Sequence, residues 1–309
     1  MSAILNQDLY IFATVVTAIF LEAAPFLLLG ALVSSLLEVY FSADLIARLM
    51  PKGRYPGVLF GLGAGMILPT CECGVVPIMR RLLLKGVPSQ VAITYMLAAP
   101  VINPIVLLST YVAFRGNIWM VLARAGLVSL TAGCMGLLLS RAHPSTVLRE
   151  AEANRVSPAK DHGGCDCGVD HTSKDKSRLV GLLLHAAWAF LDMGKYLIIG
   201  CFAAGLIKTF MSDTLLTVFA DNLFFAVAGM MLLAIIVSVC SEADAFVAAS
   251  FWSFPKAAQL SFIAIGPMVD LKLIMMYAGV FRRRSLFALV IIPTVIIYSV
   301  SVILGKIMG

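Results

Sequence analysis

The sequence predicts an all-α integral membrane protein built from two repeats of about four apolar segments each, inverted with respect to one another. Three observations predict it. Of the 309 residues, 61% are hydrophobic and 13% charged, whereas soluble domains run near half apolar and about a quarter charged. Apolar stretches long enough to cross a bilayer, roughly 20 residues at 1.5 Å each, recur along the chain. Polar motifs in the first half also return, in the same order, in the second.

The apolar stretches begin near Leu9, Pro56, Pro88, Asn117, Arg178, Asn222, Ala257 and Ser285. The first is not a removable leader: it lacks a basic start, is too long, and carries Glu22 in its middle. Residues 141–178 are the one long polar stretch, with Pro144, Pro158 and mixed charges. They read as a cytoplasmic linker between a first repeat (1–140) and a second (179–309).

The halves answer one another at an offset of roughly 170 residues. Phe20-Leu21-Glu22 answers to Phe190-Leu191-Asp192, and Pro69-Thr70-Cys71-Glu72-Cys73-Gly74 to the run Ser238–Asp244. Ala99-Pro100-Val101-Ile102-Asn103 answers to Gly266-Pro267-Met268-Val269-Asp270. Internal duplication is common in transporters, with binding sites at the repeat interface.

Charge selects a path. If every segment crosses, Arg282, Arg283 and Arg284 fall opposite the linker and opposite Arg80, Arg81 and Lys85, against the positive-inside tendency. If the second segment of each half (57–86 and 222–256) is re-entrant or broken, the linker and these cations share the cytoplasmic face, and the halves become inverted repeats. Eight plain crossings remain the alternative.

Pro69 removes a helix donor and Gly74 permits a turn; Pro100 and Pro104 flank Asn103; Gly266-Pro267 precedes Asp270. In hydrocarbon, irregular backbone survives only when buried in protein or lining a wet cavity. Interrupted segments at matching positions therefore point to a central transport site. Gly57, Gly61 and Gly65 recur every fourth residue, a helix-packing stripe rather than a nucleotide fingerprint, since no strand precedes it.

The membrane site expected from these breaks gathers Cys71, Glu72, Cys73, Cys240, Glu242 and Asp244, with Asn103 and Asp270 beside them. Thiolates select Cu(I), Zn(II) and similar species, while carboxylate and carbonyl cages suit Mg or Ca. Burial disfavours a thiolate, so a cation or helix N-terminus has to support it. The plainer reading is a thiol pair that packs or forms a redox disulfide. Glu22 and Asp192, deep in the first helix of each half, are candidates for proton coupling; Lys195 offers Asp192 a partner on its own helix face. Arg124 reads as structural or snorkelling, and Cys134 and Cys201 as small hydrophobes. In the linker, His162, Cys165, Cys167 and His171 form a glycine-spaced ligand set for zinc or copper, too tightly spaced for a structural zinc finger.

The stretches Cys71-Glu72-Cys73-Gly74-Val75-Val76-Pro77 and Ala98-Ala99-Pro100-Val101-Ile102-Asn103-Pro104 resemble the signature of a bacterial permease family, long catalogued as a domain of unknown function, that includes the organoarsenical efflux permeases. The resemblance covers essentially the whole chain and is nearest to the family's copper/zinc efflux branch. It implies a multi-pass exporter of thiophilic species in the bacterial inner membrane.

The expected activity is therefore proton-coupled export of copper and/or zinc, with arsenicals or a small sulfur compound as the other cargo class. A membrane thiol oxidoreductase using Cys71 and Cys73 is the rival from another class. No G-x-x-x-x-G-K-[ST] loop is present, which argues against direct ATP drive. No prosthetic group is expected; Cu(I) or Zn(II) would be bound as cargo. The expected partners are the lipid bilayer and the transported species. The net charge of +6 suits basic cytoplasmic loops and carries no nucleic-acid inference. A homo-oligomer stays open.

Overall fold

A computed structural model describes residues 2–40, 51, 53–67, 70–141, 144–149, 176–210 and 222–308. The first half runs through α1 (Ser2–Tyr40), α2 (Arg54–Ile67), α3 (Glu72–Leu84), α4 (Ser89–Ala98), α5 (Pro104–Ala113) and α6 (Ile118–Leu138). The second runs through α7 (Lys176–Phe210), α8 (Leu223–Val237), α9 (Asp244–Ser250), α10 (Lys256–Ile265), α11 (Leu271–Val280) and α12 (Arg283–Met308). Among the described residues the fold is helical, apart from one isolated bridge.

The eight apolar stretches resolve into long helices and interrupted pairs. Helices α1, α6 and α12 contain spans of 22, 21 and 25 residues that are long and apolar enough to cross a membrane. By contrast α2 has 14 residues and α3 has 13. At 1.5 Å per residue neither covers a hydrocarbon core of about 30 Å alone. The breaks fall where the sequence motifs lie: between α2 and α3, between α8 and α9, and at 99–103 and 266–270.

Local chemistry explains where α4, α5, α10 and α11 begin. Pro88 and Pro255 precede α4 and α10 with φ of −55° and −54°, angles the pyrrolidine ring pre-sets. Asn103 caps α5 by accepting a hydrogen bond from the Val106 N–H at 2.9 Å. Asp270 caps α11 in the same way, accepting from Leu273 N–H at 2.6 Å. Each side chain satisfies a helix donor that hydrocarbon would leave bare.

Polarity is turned outside in. Leu21, Trp119, Trp188, Phe287 and Ile307 are exposed, while Glu72, Arg124, Asp244, Asp270 and Lys272 are buried. That is the distribution expected of a bundle whose solvent is lipid. The glycine stripe packs as the sequence suggests: a Cβ at Gly61 would lie 2.8 Å from the Val91 carbonyl, and one at Gly65 would lie 3.0 Å from Ala99 N. Helix α2 thus rides directly on α4, with backbones nearer than any larger residue allows.

The start of the linker is docked on the second half. Val147 and Leu148 are buried. Leu148 pairs antiparallel with Phe281, Arg149 N–H donates to the Val280 carbonyl at 2.9 Å, and Arg282 N–H donates to the Val147 carbonyl at 3.1 Å. The bridge sets the linker beside Arg282, at the foot of α12. Eight plain crossings would put these on opposite faces, so the path with interrupted second segments is the one this pairing suits.

Candidate functional site

The two motif breaks meet at the centre of the bundle. Glu72 is the first residue of α3, where the helix dipole favours an acid. Ser241, from the break between α8 and α9, donates its hydroxyl to Glu72 Oε2 at 3.3 Å. Lys272, the second residue of α11, donates to Glu72 Oε1 at 3.0 Å and to the Ser238 carbonyl at 3.1 Å. Its ammonium also lies 3.5 Å from Asp270 Oδ2. All of these groups except the backbone carbonyl are acidic, basic or hydroxyl side chains shielded from solvent, where a charge without a partner would be costly.

A second pair stands beside the first. Arg124 of α6 holds Asp244 of α9 at 2.6 Å, with side-chain exposures of 0% and 1%. Arg124 also donates to Thr110 Oγ1 at 2.7 Å and to the Ser241 carbonyl at 3.4 Å. Of the two readings of Arg124, structural or snorkelling, the structural one holds: its side chain is sealed from solvent and pairs with Asp244. The same residue, Ser241, touches both pairs, through its carbonyl and its hydroxyl.

The thiols lie against this cluster. Cys71 is the N-cap of α3 at φ −76°, ψ 167°, and makes no side-chain cap. Cys71 and Cys73 are buried reduced thiols whose side chains are in hydrogen-bond contact, and Cys73 lies within the fields of Lys272 and Glu72. Cys240 is also a buried thiol, at the turn where its carbonyl accepts from Ala243 and Asp244 N–H. Among the described residues, no three of His, Cys, Asp and Glu stand in a metal-holding group.

A cavity of about 100 Å³ opens on this region, with Thr70, Cys71, Asn103 and Glu242 among its lining residues. It has room for a few waters. One Glu242 carboxylate oxygen is buried there without a hydrogen-bond partner. Asn103 faces the cavity with its amide already committed, donating to the Ala99 carbonyl at 3.2 Å and accepting from Val106 N–H. A larger hollow of about 350 Å³ between α1 and α7 is lined mainly by apolar groups such as Phe20 and Leu21, with Cys201 and Thr17 among them. The Thr17 hydroxyl is spent on the Ala13 carbonyl at 2.7 Å.

Among the remaining candidates, Asp192 is the one whose side chain is described. Asp192 on α7 is held by Arg80 of α3 at 2.8 Å and by Lys195 at 2.6 Å; the Lys195 partner was legible in the sequence and the Arg80 partner was not. Glu22 lies on α1, but its side chain is outside the described residues, as are Pro69 and all of His162, Cys165, Cys167 and His171. Sequence reasoning missed Lys272. A lone Lys two positions beyond Asp270, at the head of an otherwise apolar helix, was the available signal, because intramembrane charges pair.

Residues 9–306 match the family described as predicted permease. The chain is 41% identical over 288 residues to "UPF0718 protein YcgR" of Bacillus subtilis (strain 168), covering 93% of this chain and 94% of that protein. It is 38% identical over 291 residues to a Streptococcus mutans serotype c protein, covering 93% of each. That protein's name reads "Putative two-component membrane permease complex subunit". No solved structure matches the chain.

Proposed function

This chain belongs to the predicted permease family, and from that premise we propose that it exports a thiophilic metal ion, copper and/or zinc, across the bacterial inner membrane as a secondary transporter coupled to protons. The observation that carries this reading is Cys71 at the wall of a small cavity that Thr70, Asn103 and Glu242 also line, with the Cys73 thiol against Cys71. Soft sulfur donors beside a carboxylate suit thiophilic cations better than Mg or Ca. In this reading Glu242, Glu22 or Asp244 takes up the returning proton. Asp192, tied to two cations, is the weaker candidate. His162, Cys165, Cys167 and His171 would collect the ion in the cytoplasm and pass it to the membrane site.

Uptake of copper and of zinc by inverted vesicles, with Cys71→Ser and Cys73→Ser variants, tests the reading. Transport undiminished in both variants would remove the thiol site from it. Metal content of the purified full chain, with and without residues 161–171, tests the linker's part. By extension from the Streptococcus mutans relative, the working unit includes a second membrane subunit, which copurification with the tagged chain would reveal.

One observation favours a second cargo. Of the three central sulfurs only Cys71 lines the cavity, and a single thiol suffices to bond a trivalent arsenical, whereas a bound metal ion needs more donors. The same vesicles offered a methylated arsenical separate the two. Trapping of a mixed disulfide at Cys71 or Cys73 with a partner protein would instead favour thiol oxidoreduction.

A further inference from the structure

The Lys272 ammonium has three oxygen neighbours drawn from three separate places: Glu72 Oε1 at 3.0 Å, the Ser238 carbonyl at 3.1 Å and Asp270 Oδ2 at 3.5 Å. An ammonium is a compact point charge, and this oxygen shell is one that a free cation would also accept. Two features suggest that the shell is built. Ser238 ends α8 in the left-handed conformation at φ 50°, ψ 43°, a position usually held by glycine, and its carbonyl is the one that meets Lys272. Asp270 spends Oδ1 on the α11 cap, while Oδ2 is buried without a hydrogen bond. Lys272 is therefore bound to one acid with a second just beyond hydrogen-bond length.

Formal charge gives the arrangement a direction. Counted with every group in its charged form, Glu72 and Asp270 would bring two negative charges against one on Lys272, and Arg124 would balance Asp244. A buried cluster with one uncompensated acid attracts one positive charge. The Lys272 backbone cannot yield, because α7 lies on it: a Cβ at Gly200 would come within 2.6 Å of Lys272 Cα. Any adjustment belongs to the side chain.

We propose that Lys272 is a tethered counter-ion which the transported cation displaces from Glu72. As the cation arrives, the ammonium shifts to Asp270 and the Ser238 carbonyl. Glu72, in sequence between Cys71 and Cys73, is freed for the cation. When the cation leaves, Lys272 returns to Glu72 and refills the place. This rests on the cation-export reading and deepens it, by naming the group that leaves Glu72 when the ion arrives.

The test is a silver(I) titration of the purified full chain in detergent, silver being a singly charged thiophilic probe. Lys272→Gln is expected to tighten silver binding at least about tenfold, and adding Glu72→Gln to it should abolish the gain, as a double-mutant cycle on a close charge pair reads. Unchanged or weaker binding by Lys272→Gln would overturn the proposal. So would a gain that survives Glu72→Gln, since that reports simple repulsion without displacement. The neutral Glu72→Gln/Lys272→Gln chain guards against a folding artefact, because it buries no unpaired charge at this pair. If the silver cycle holds while vesicles move neither copper nor zinc, the exporter reading falls and the counter-ion stands.

Discussion

Arg124 and Asp244 meet at 2.6 Å in a site from which both side chains are sealed, and Arg124 reaches from there to the Ser241 carbonyl. The contact ties α6 of the first half to the break between α8 and α9 of the second. Ser241 in turn donates to Glu72. The two buried ion pairs are therefore one connected network with Ser241 as the shared residue, and it holds the two breaks together.

Removing one partner of the Arg124–Asp244 pair leaves a charge stranded in the bundle. Asp244→Ala is expected to destabilise the folded chain by about 3–5 kcal/mol, and Arg124→Leu by a similar amount, with the double variant costing less than either. Thermal unfolding of the purified chain in detergent reads the difference. A double variant that costs the sum of the two would show that the residues act separately.

Asp192 presents the contrasting case. Its side chain is 35% exposed and shared by Arg80 and Lys195, so screening reduces the value of each contact. Lys195→Ala is expected to change stability by less than about 1 kcal/mol. Arg80→Ala should cost more, since Arg80 is itself buried and ties α3 to α7. The same unfolding measurement compares them.

The glycine stripe on α2 gives a packing test that is independent of transport. Gly61→Leu drives a side chain into the Val91 backbone of α4, and a cost of about 1–3 kcal/mol or failed assembly is expected. Gly63→Leu meets nothing within 4 Å and should be tolerated. Yield of folded protein after membrane extraction distinguishes the two.

Cys71 and Cys73 should differ although they are near neighbours. Cys71 lines the cavity and Cys73 lies behind it. A small water-soluble maleimide is therefore expected to label Cys71 well ahead of Cys73 in the single-cysteine variants, as accessibility governs thiol reaction. Labelling is read by mass spectrometry of the intact chain, and prior copper should protect Cys71. Equal rates would mean that the cavity does not set access.

Lipid as the solvent, the polar linker, the interrupted segments and the recurrence of motifs between halves were all legible in the residues, because a bilayer punishes every unpaired polar group and composition records the response. Pro69, Asn103 and Asp270 announced breaks by local chemistry alone, and Asp192–Lys195 was readable because partners three residues apart share a helix face. Tertiary structure decided which charges meet. Glu72 and Lys272 are 200 positions apart and Arg124 and Asp244 are 120, and no periodicity relates them. Nor could the chain alone show that Arg124 has a buried partner rather than a path to water, or that Leu148 docks on Phe281. Long-range pairing depends on how helices cross in three dimensions, and a linear pattern carries the need for a partner without its address.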